Sequence, residues 1–135
     1  MARYARPEHD DLVVIFAGYP DEMEKLLAMN PGMRSRVPYT IEFPNYTRED
    51  LFQIFVKMSA NHFDYTAGFE DHARDFFLRL PEKIISEKSF GNARFVRNIY
   101  ERVWGKAVSR CAKNGNANVE LTVVDFDDAI HELRL

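Results

Sequence analysis

The chain has 135 residues and a mass of 15.8 kDa, with 18 basic and 21 acidic residues and a net charge of −3. This length and an apolar content of 46% fit one ordinary soluble domain, or parts of two, without extended disorder. The net negative charge argues against a protein that binds nucleic acid through its overall charge. A basic patch on one face is still compatible with it. The longest apolar run, residues 12–17, is far shorter than the roughly 20 residues that cross a bilayer.

Cysteine and histidine usage makes a metal site or a disulfide improbable. Cys111 is the only cysteine, so neither an intramolecular disulfide nor a cysteine-rich zinc site can form, and a reducing, cytoplasmic location is expected. The histidines lie far apart without a ligand pattern: His9, His62, His72 and His131. Residues 1–7 lack the apolar stretch of a secretory signal and are interpreted as mature sequence or a chain boundary.

The first third of the chain has the pattern of a strand, a helix and a second strand. Residues 12–17 form a β-branched apolar run typical of a strand buried on both faces. Asp21 and Glu22 then supply the acidic first turn of a short helix, which ends at Asn30. Residues 39–43 alternate between the two faces of a second strand.

After Tyr46 the apolar period becomes about 3.6, which predicts four helices. They are expected to begin near residues 47, 70, 92 and 122. Thr47 with Asp50 forms a capping box, and Thr122 caps the last helix with Asp125 at its third position. Pro81 predicts a kink or a restart of the second helix. The expected fold is therefore an α/β fragment joined to a small helical bundle.

Arg34 and Arg36 are the first candidate functional residues. They lie in a Pro-Gly turn directly before the second strand, and a guanidinium group suits phosphate oxygens better than an ammonium group does. The alternative is a solvated loop with surface arginines. Gly18 and Tyr19 are a weaker candidate pair, because ligands of open α/β sheets bind beyond the carboxyl ends of strands, but a plain turn explains them equally well.

Arg94 is the candidate in the helical part. It follows Gly91 and Asn92 at a helix start, where a cation is electrostatically mismatched unless an anion binds. Arg97 lies three residues further on. Three other cations lie on a different face of the same helix: Arg102, Lys106 and Arg110. We expect this face to be solvated, with its positive charge balanced by nearby acidic residues. The competing interpretation is a surface that binds nucleic acid.

Four segments in register then carry a family resemblance. Residues 13–23, 30–36, 43–46 and 91–94 closely resemble the carboxyl-terminal half of an AAA+ ATPase of the branch that contains red-type rubisco activases and stage V sporulation protein K. The resemblance covers nearly the whole chain. It implies that residues 1–46 are the end of the α/β core, including the sensor 1 strand and the last strand, and that residues 47–135 are the helical lid.

The resemblance also implies roles for single residues. Arg36 is the expected arginine finger, reaching the γ-phosphate held by a neighbouring subunit, with Arg34 as the reserve choice. Arg94 is the expected sensor 2, the lid arginine that contacts the nucleotide of its own subunit.

The remaining nucleotide contacts lie at the sensor 1 site and in the hinge. Many AAA+ proteins have Asn or Thr at sensor 1, whereas this chain has Gly18 and Tyr19, so that role rests on Tyr19 or the backbone. Tyr46 belongs to the hinge at residues 43–46 and is expected near the nucleotide.

The sequence lacks the family's phosphate loop and its strand that ends in Asp-Glu. The chain alone is therefore expected neither to hydrolyse ATP nor to hold a cofactor tightly, while the complete protein uses ATP with Mg²⁺. Without neighbours, the two core strands should be frayed, swapped with a second copy, or paired with the missing half of a longer protein.

The leading hypothesis is thus a part of an ATP-driven, chaperone-like remodelling machine. Its expected partners are other AAA+ subunits, in a homo-hexamer, and a protein substrate, with no membrane and no nucleic acid. The alternative is a helical protein-interaction module without nucleotide chemistry.

Overall fold

A computed structural model of the chain describes residues 13–60, 64–87 and 90–133. The chain divides after Phe43 into two compact units, Met1–Phe43 and Pro44–Leu135. The first unit contains the helices α1 (Pro20–Met29) and α2 (Pro31–Arg34). The expected helix after residue 20 is confirmed, and Asp21 and Glu22 lie in its first turn.

The two strands predicted in the first unit are not formed. The described residues 13–19 and 35–47 carry neither helix nor strand. A strand needs a partner for its backbone N–H and C=O groups, and no described segment supplies one. The apolar side chains of the two predicted strands are consequently exposed to solvent. The exposed fraction is 82% for Val13 and 89% for Phe43. This is the unpaired state expected for core strands without their neighbours.

The second unit is a helical bundle with five helices among its described residues. In chain order its elements are α3 (Arg48–Ala60), β1 (Asp64–Tyr65), α4 (Phe69–Leu78), α5 (Glu82–Ile85), α6 (Ala93–Lys113), β2 (Glu120–Leu121) and α7 (Val123–Leu133). The four long helices confirm the sequence prediction, and Pro81 separates α4 from the single turn of α5 as a restart. The mostly helical architecture, with one short parallel strand pair, confirms the expected helical bundle in this part of the chain.

Aromatic side chains hold the bundle together. The ring centroid of Phe55 on α3 lies 6.1 Å from that of Phe69, 5.4 Å from that of Phe77 and 5.7 Å from that of Phe126. All four side chains are buried, and they come from α3, α4 and α7. Helix α6 adds a buried apolar face that includes Val96, Ile99, Val103, Ala107 and Cys111.

Both predicted capping boxes are present. At the start of α3, Asp50 Oδ2 accepts from Thr47 N (2.9 Å), and Thr47 Oγ1 accepts from Asp50 N (3.1 Å). Thr122 and Asp125 repeat this exchange at the start of α7. These local bonds satisfy backbone donors that a helix start leaves free, and so fix where α3 and α7 begin.

The short parallel pair β1 and β2 was not predicted. Asp64 pairs with Glu120 and Tyr65 with Leu121, and this places the segment before α4 beside the segment before α7. Two residues are too few for a periodic signal, and their partners lie more than 50 positions apart. The pair fixes the entrances of two bundle helices relative to each other.

Candidate functional site

The turn that carries Arg34 and Arg36 is held by its own hydrogen bonds. Asn30 Oδ1 accepts from Gly32 N (3.1 Å) at the start of α2, and Ser35 Oγ donates to Gly32 O (3.0 Å). The backbone N–H of Arg36 donates to Met33 O (2.9 Å). The predicted Pro-Gly turn is therefore one helical turn with a closing bend, and it presents both arginines from a fixed backbone.

The guanidinium groups of Arg34 and Arg36 are exposed. Arg36 Nη1 lies 3.5 Å from Gly32 O, and a β-carbon at Gly32 would lie 2.9 Å from that nitrogen, so glycine leaves room for the guanidinium group to fold over the turn. Neither arginine forms an ion pair with a described residue. Both arginines therefore have N–H donors available for an anion, and the geometry of the turn is compatible with either of them as the arginine finger.

Tyr19 and Gly18 lie at the start of α1. The Tyr19 carbonyl accepts from Glu22 N (3.0 Å) and Met23 N (2.9 Å), while its side chain makes no capping bond and is 71% exposed. The backbone carbonyl of Tyr19 therefore accepts the first hydrogen bonds of α1. The phenol is left without a hydrogen bond to any described residue and can contact a ligand.

Arg94 is the second residue of the 21-residue helix α6. Helix α6 has no acidic residue in its first turn, whereas α3, α4 and α7 each have at least one. The exposed Arg94 side chain thus lies at the positive end of a helix dipole without a compensating acid in that turn. An anion bound there would interact with both the guanidinium group and the helix end.

Ion pairing separates Arg94 and Arg97 from the other arginines in the described part of the bundle. Five arginines pair with carboxylates: Arg48 with Glu82, Arg74 with Glu49, Arg79 with Asp75, Arg102 with Glu132 and Arg110 with Asp125. Arg94 and Arg97 have no such partner among the described residues. Free donors on the first two turns of α6 are what a phosphate-reading site requires.

The expected solvated stripe on α6 is instead a contact between helices. Arg102 and Lys106 pair with Glu132, and Arg110 pairs with Asp125, both on α7. The offsetting acids come from α7, which packs against α6, rather than from α6 itself, and the pattern of one helix cannot reveal this. Cations already paired in this way are poorly placed to read nucleic-acid phosphates.

Asn92 joins the hinge to the start of α6, and the sequence did not single it out. Its Oδ1 accepts from the backbone N of Tyr46 (3.3 Å), and its Nδ2 donates to Asn45 Oδ1 (3.0 Å). Of the predicted lid-site residues, Tyr46 and Arg94 are thereby brought into one local structure. A positive φ at Asn92 was the missing signal, and it cannot be read from sequence.

The part of the chain that the structure describes holds no group of three or more His, Cys, Asp or Glu that could bind a metal ion. His72 Nε2 lies 2.7 Å from Asp127 Oδ1, so this histidine has a structural partner. Among the same residues, no helix is long and apolar enough to span a bilayer.

Comparison with known proteins identifies the family. The model of the AAA lid domain matches residues 47–134. The chain belongs to the AAA+ ATPase family. It is 35% identical over 126 residues to a protein CfxQ homolog of Pyropia yezoensis, covering 91% of this chain and 41% of the relative.

Two further relatives agree with this assignment. A chromosomal protein CbxX of Cupriavidus necator is 35% identical over 90% of the chain and 38% of its own length. A chloroplastic ribulose bisphosphate carboxylase/oxygenase activase of Cyanidioschyzon merolae is 38% identical over 70% of the chain and 31% of its own length. The chain thus spans only 31% to 41% of the length of these relatives.

Proposed function

We propose that this AAA+ chain supplies the arginine finger and the helical lid of an ATP-driven ring that remodels a protein substrate. Residues 1–46 are the end of the α/β core, and residues 47–135 are the lid. Arg36 is the finger, with Arg34 as the reserve, and Arg94 is the sensor 2 arginine. Arg94 carries the proposal, because its guanidinium group has no ion pair with a described residue and lies at a helix start that lacks an acid in its first turn.

The chain's own residues fit the phosphate end of ATP but not its Mg²⁺. Free arginine donors suit phosphate oxygens, whereas the described residues contain no metal-binding cluster and the sequence has no phosphate loop. When bound, ATP with Mg²⁺ supplies the phosphoryl group that is transferred to water. Arg94 would contact the phosphates of the nucleotide held by its own subunit, and Arg36 would reach the γ-phosphate held by a neighbouring subunit. Gly18 and Tyr19 are the proposed sensor 1 position, and Tyr46 is the proposed hinge contact.

Similarity outside the lid supports the finger. A match over 91% of the chain leaves about 12 of the 135 residues uncovered, so it must extend into the residues before Pro44. Membership in the family supports assembly with other subunits, which we propose form a homo-hexamer in a reducing compartment such as the cytoplasm. The Cyanidioschyzon merolae relative is named as the activase of an enzyme, and this supports an enzyme as the protein substrate.

The test of the lid role is Arg94→Ala in a reconstituted ATPase, in which this chain is combined with the phosphate-loop half of an AAA+ subunit. Loss of a charge-assisted contact should weaken nucleotide binding roughly 10- to 100-fold. Binding is measured by titration with a fluorescent ATP analogue.

The matched control is Arg97→Ala, which removes another exposed arginine one turn further along α6 that has no ion pair with a described residue. It should change the affinity less than about twofold. Equal affinities for wild type and Arg94→Ala would contradict the sensor 2 role, and equal losses for both variants would indicate a general charge effect.

A further inference from the structure

Asn92 adopts a backbone conformation that normally belongs to glycine. Its φ is 46° and its ψ is −112°, and Arg94 N donates to Gly91 O at 2.8 Å. These values place Asn92 at the first central position of a type II′ turn, where the absence of a β-carbon favours glycine. Asn92 is the one non-glycine residue with positive φ in the described part of the chain. Backbone strain of this kind persists where it serves a function.

The Asn92 side chain does not serve its own helix. Asparagine at the start of a helix usually accepts a hydrogen bond from a backbone N–H of the first turn, but Asn92 makes no such bond. Both ends of its side-chain amide instead bond to the hinge, which lies 46 to 47 positions earlier in the chain. Its Oδ1 accepts from Tyr46 N, and its Nδ2 donates to Asn45 Oδ1. Glycine would relieve the strain but could make neither bond, so the strain is retained where the side chain ties the hinge to α6.

We propose that Asn92 is a positioning residue that couples Arg94 to the segment through which the chain enters the lid. The inference rests on the proposed role of Arg94 in reading nucleotide phosphate. The turn from Gly91 to Arg94 is closed by its own hydrogen bond, so a displacement of the Arg94 backbone moves Asn92 as well. Asn92 passes that displacement to Asn45 and Tyr46. Occupancy of the phosphate site would thereby change the backbone position of Asn45 and Tyr46 relative to the start of α6.

Amide exchange in the intact 135-residue chain tests the clamp itself. Asn92→Gly removes both bonds and relaxes the turn, so the Tyr46 amide should exchange roughly five- to tenfold faster. Asn92→Asp keeps an acceptor for Tyr46 N and should retain most of the protection. Unchanged exchange in Asn92→Gly would show that the clamp does not hold the hinge and would overturn the proposal.

Turnover of ATP with Mg²⁺ by the reconstituted ATPase tests the coupling. Asn92→Gly should lower kcat about tenfold, the equivalent of about one strong hydrogen bond, while KM stays within about twofold because the free donors of Arg94 remain. Asn45→Ala removes one clamp bond without altering the turn and should lower kcat in the same direction. Normal turnover in Asn45→Ala beside impaired Asn92→Gly would assign the effect to the turn and contradict coupling through the hinge.

The two proposals fail in different ways. If Arg94→Ala binds nucleotide as tightly as wild type does, the proposed role of Arg94 is wrong, and the coupling that depends on it is wrong as well. If Arg94→Ala weakens nucleotide binding while Asn92→Gly keeps wild-type kcat, only the coupling is wrong. A thermal melt of each variant, followed by the fluorescence of Trp104 on α6, identifies any loss that is due to unfolding.

Discussion

Replacing Arg36 with alanine is expected to lower ATP turnover of the reconstituted ATPase by about 10³-fold or more. An arginine finger neutralises charge that develops on the transferred phosphoryl group, so its removal affects the transition state far more than the bound nucleotide. Nucleotide affinity should therefore change little. The measurement is kcat under saturating ATP, with affinity determined separately by titration.

Arg34→Ala is the matched comparison, because Arg34 projects from the same hydrogen-bonded turn and is equally exposed. It should retain turnover within about tenfold of wild type. Loss of turnover in Arg34→Ala with Arg36→Ala unaffected would move the finger to Arg34. Normal turnover in both variants would remove the finger from this segment altogether.

Asp125→Ala is expected to lower the free energy of unfolding of the lid by about 3 kcal/mol. Asp125 is 3% exposed and accepts from Arg110 Nε (3.0 Å) and Nη2 (2.9 Å), while its Oδ2 also accepts from Thr122 N and Oγ1. Truncation removes the ion pair and half of a capping box together. Urea unfolding followed by fluorescence of Trp104, the only tryptophan, reports on the lid.

Glu132→Ala is the control for Asp125→Ala. Glu132 pairs with Arg102 and Lys106 between the same two helices but is half exposed, so its loss should lower the free energy of unfolding much less than the loss of Asp125 does. Equal losses for the two variants would contradict a special contribution from the buried pair.

The acid dependence of lid stability follows from the same carboxylate. Burial raises the pKa of Asp125, but hydrogen bonds from Arg110 and Thr122 outweigh that effect and hold the pKa below its ordinary value. A lowered carboxyl pKa contributes stability above the unfolded-state pKa, and this contribution is lost as the pH falls through the folded-state pKa. The difference between wild type and Asp125→Ala should stay constant near pH 7 and shrink below about pH 4.

Local chemistry explains what could be predicted from the sequence. Thr47 with Asp50 and Thr122 with Asp125 are three residues apart, so their reciprocal bonds are visible as a motif. Cys111 is buried on α6, and helical periodicity accounts for this because Cys111 lies on the same face as Ala107 and Val103. The strand at residues 39–43 failed because strand formation depends on a neighbour, and no described segment provides one.

Tertiary contacts explain what could not be predicted. The pairing of Arg110 with Asp125 spans 15 positions, and the bonds from Asn92 to Asn45 and Tyr46 span 46 to 47. No sequence pattern shows that the basic face of α6 contacts a second helix. Nor does one show that Asn92 has the positive φ that usually favours glycine. The roles of Arg36 and Arg94 are implied by family resemblance and stay predictions, whereas the bonds between Asn92 and the hinge are visible only in the structure.

The most direct test of the account is ATP hydrolysis by this chain alone, by the phosphate-loop half alone, and by the two combined. We expect no hydrolysis by either part and activity in the mixture, which is lost with Arg36→Ala. Tight ATP binding or hydrolysis by this chain alone would contradict the account, because it would require a nucleotide site that neither Arg36 nor Arg94 provides.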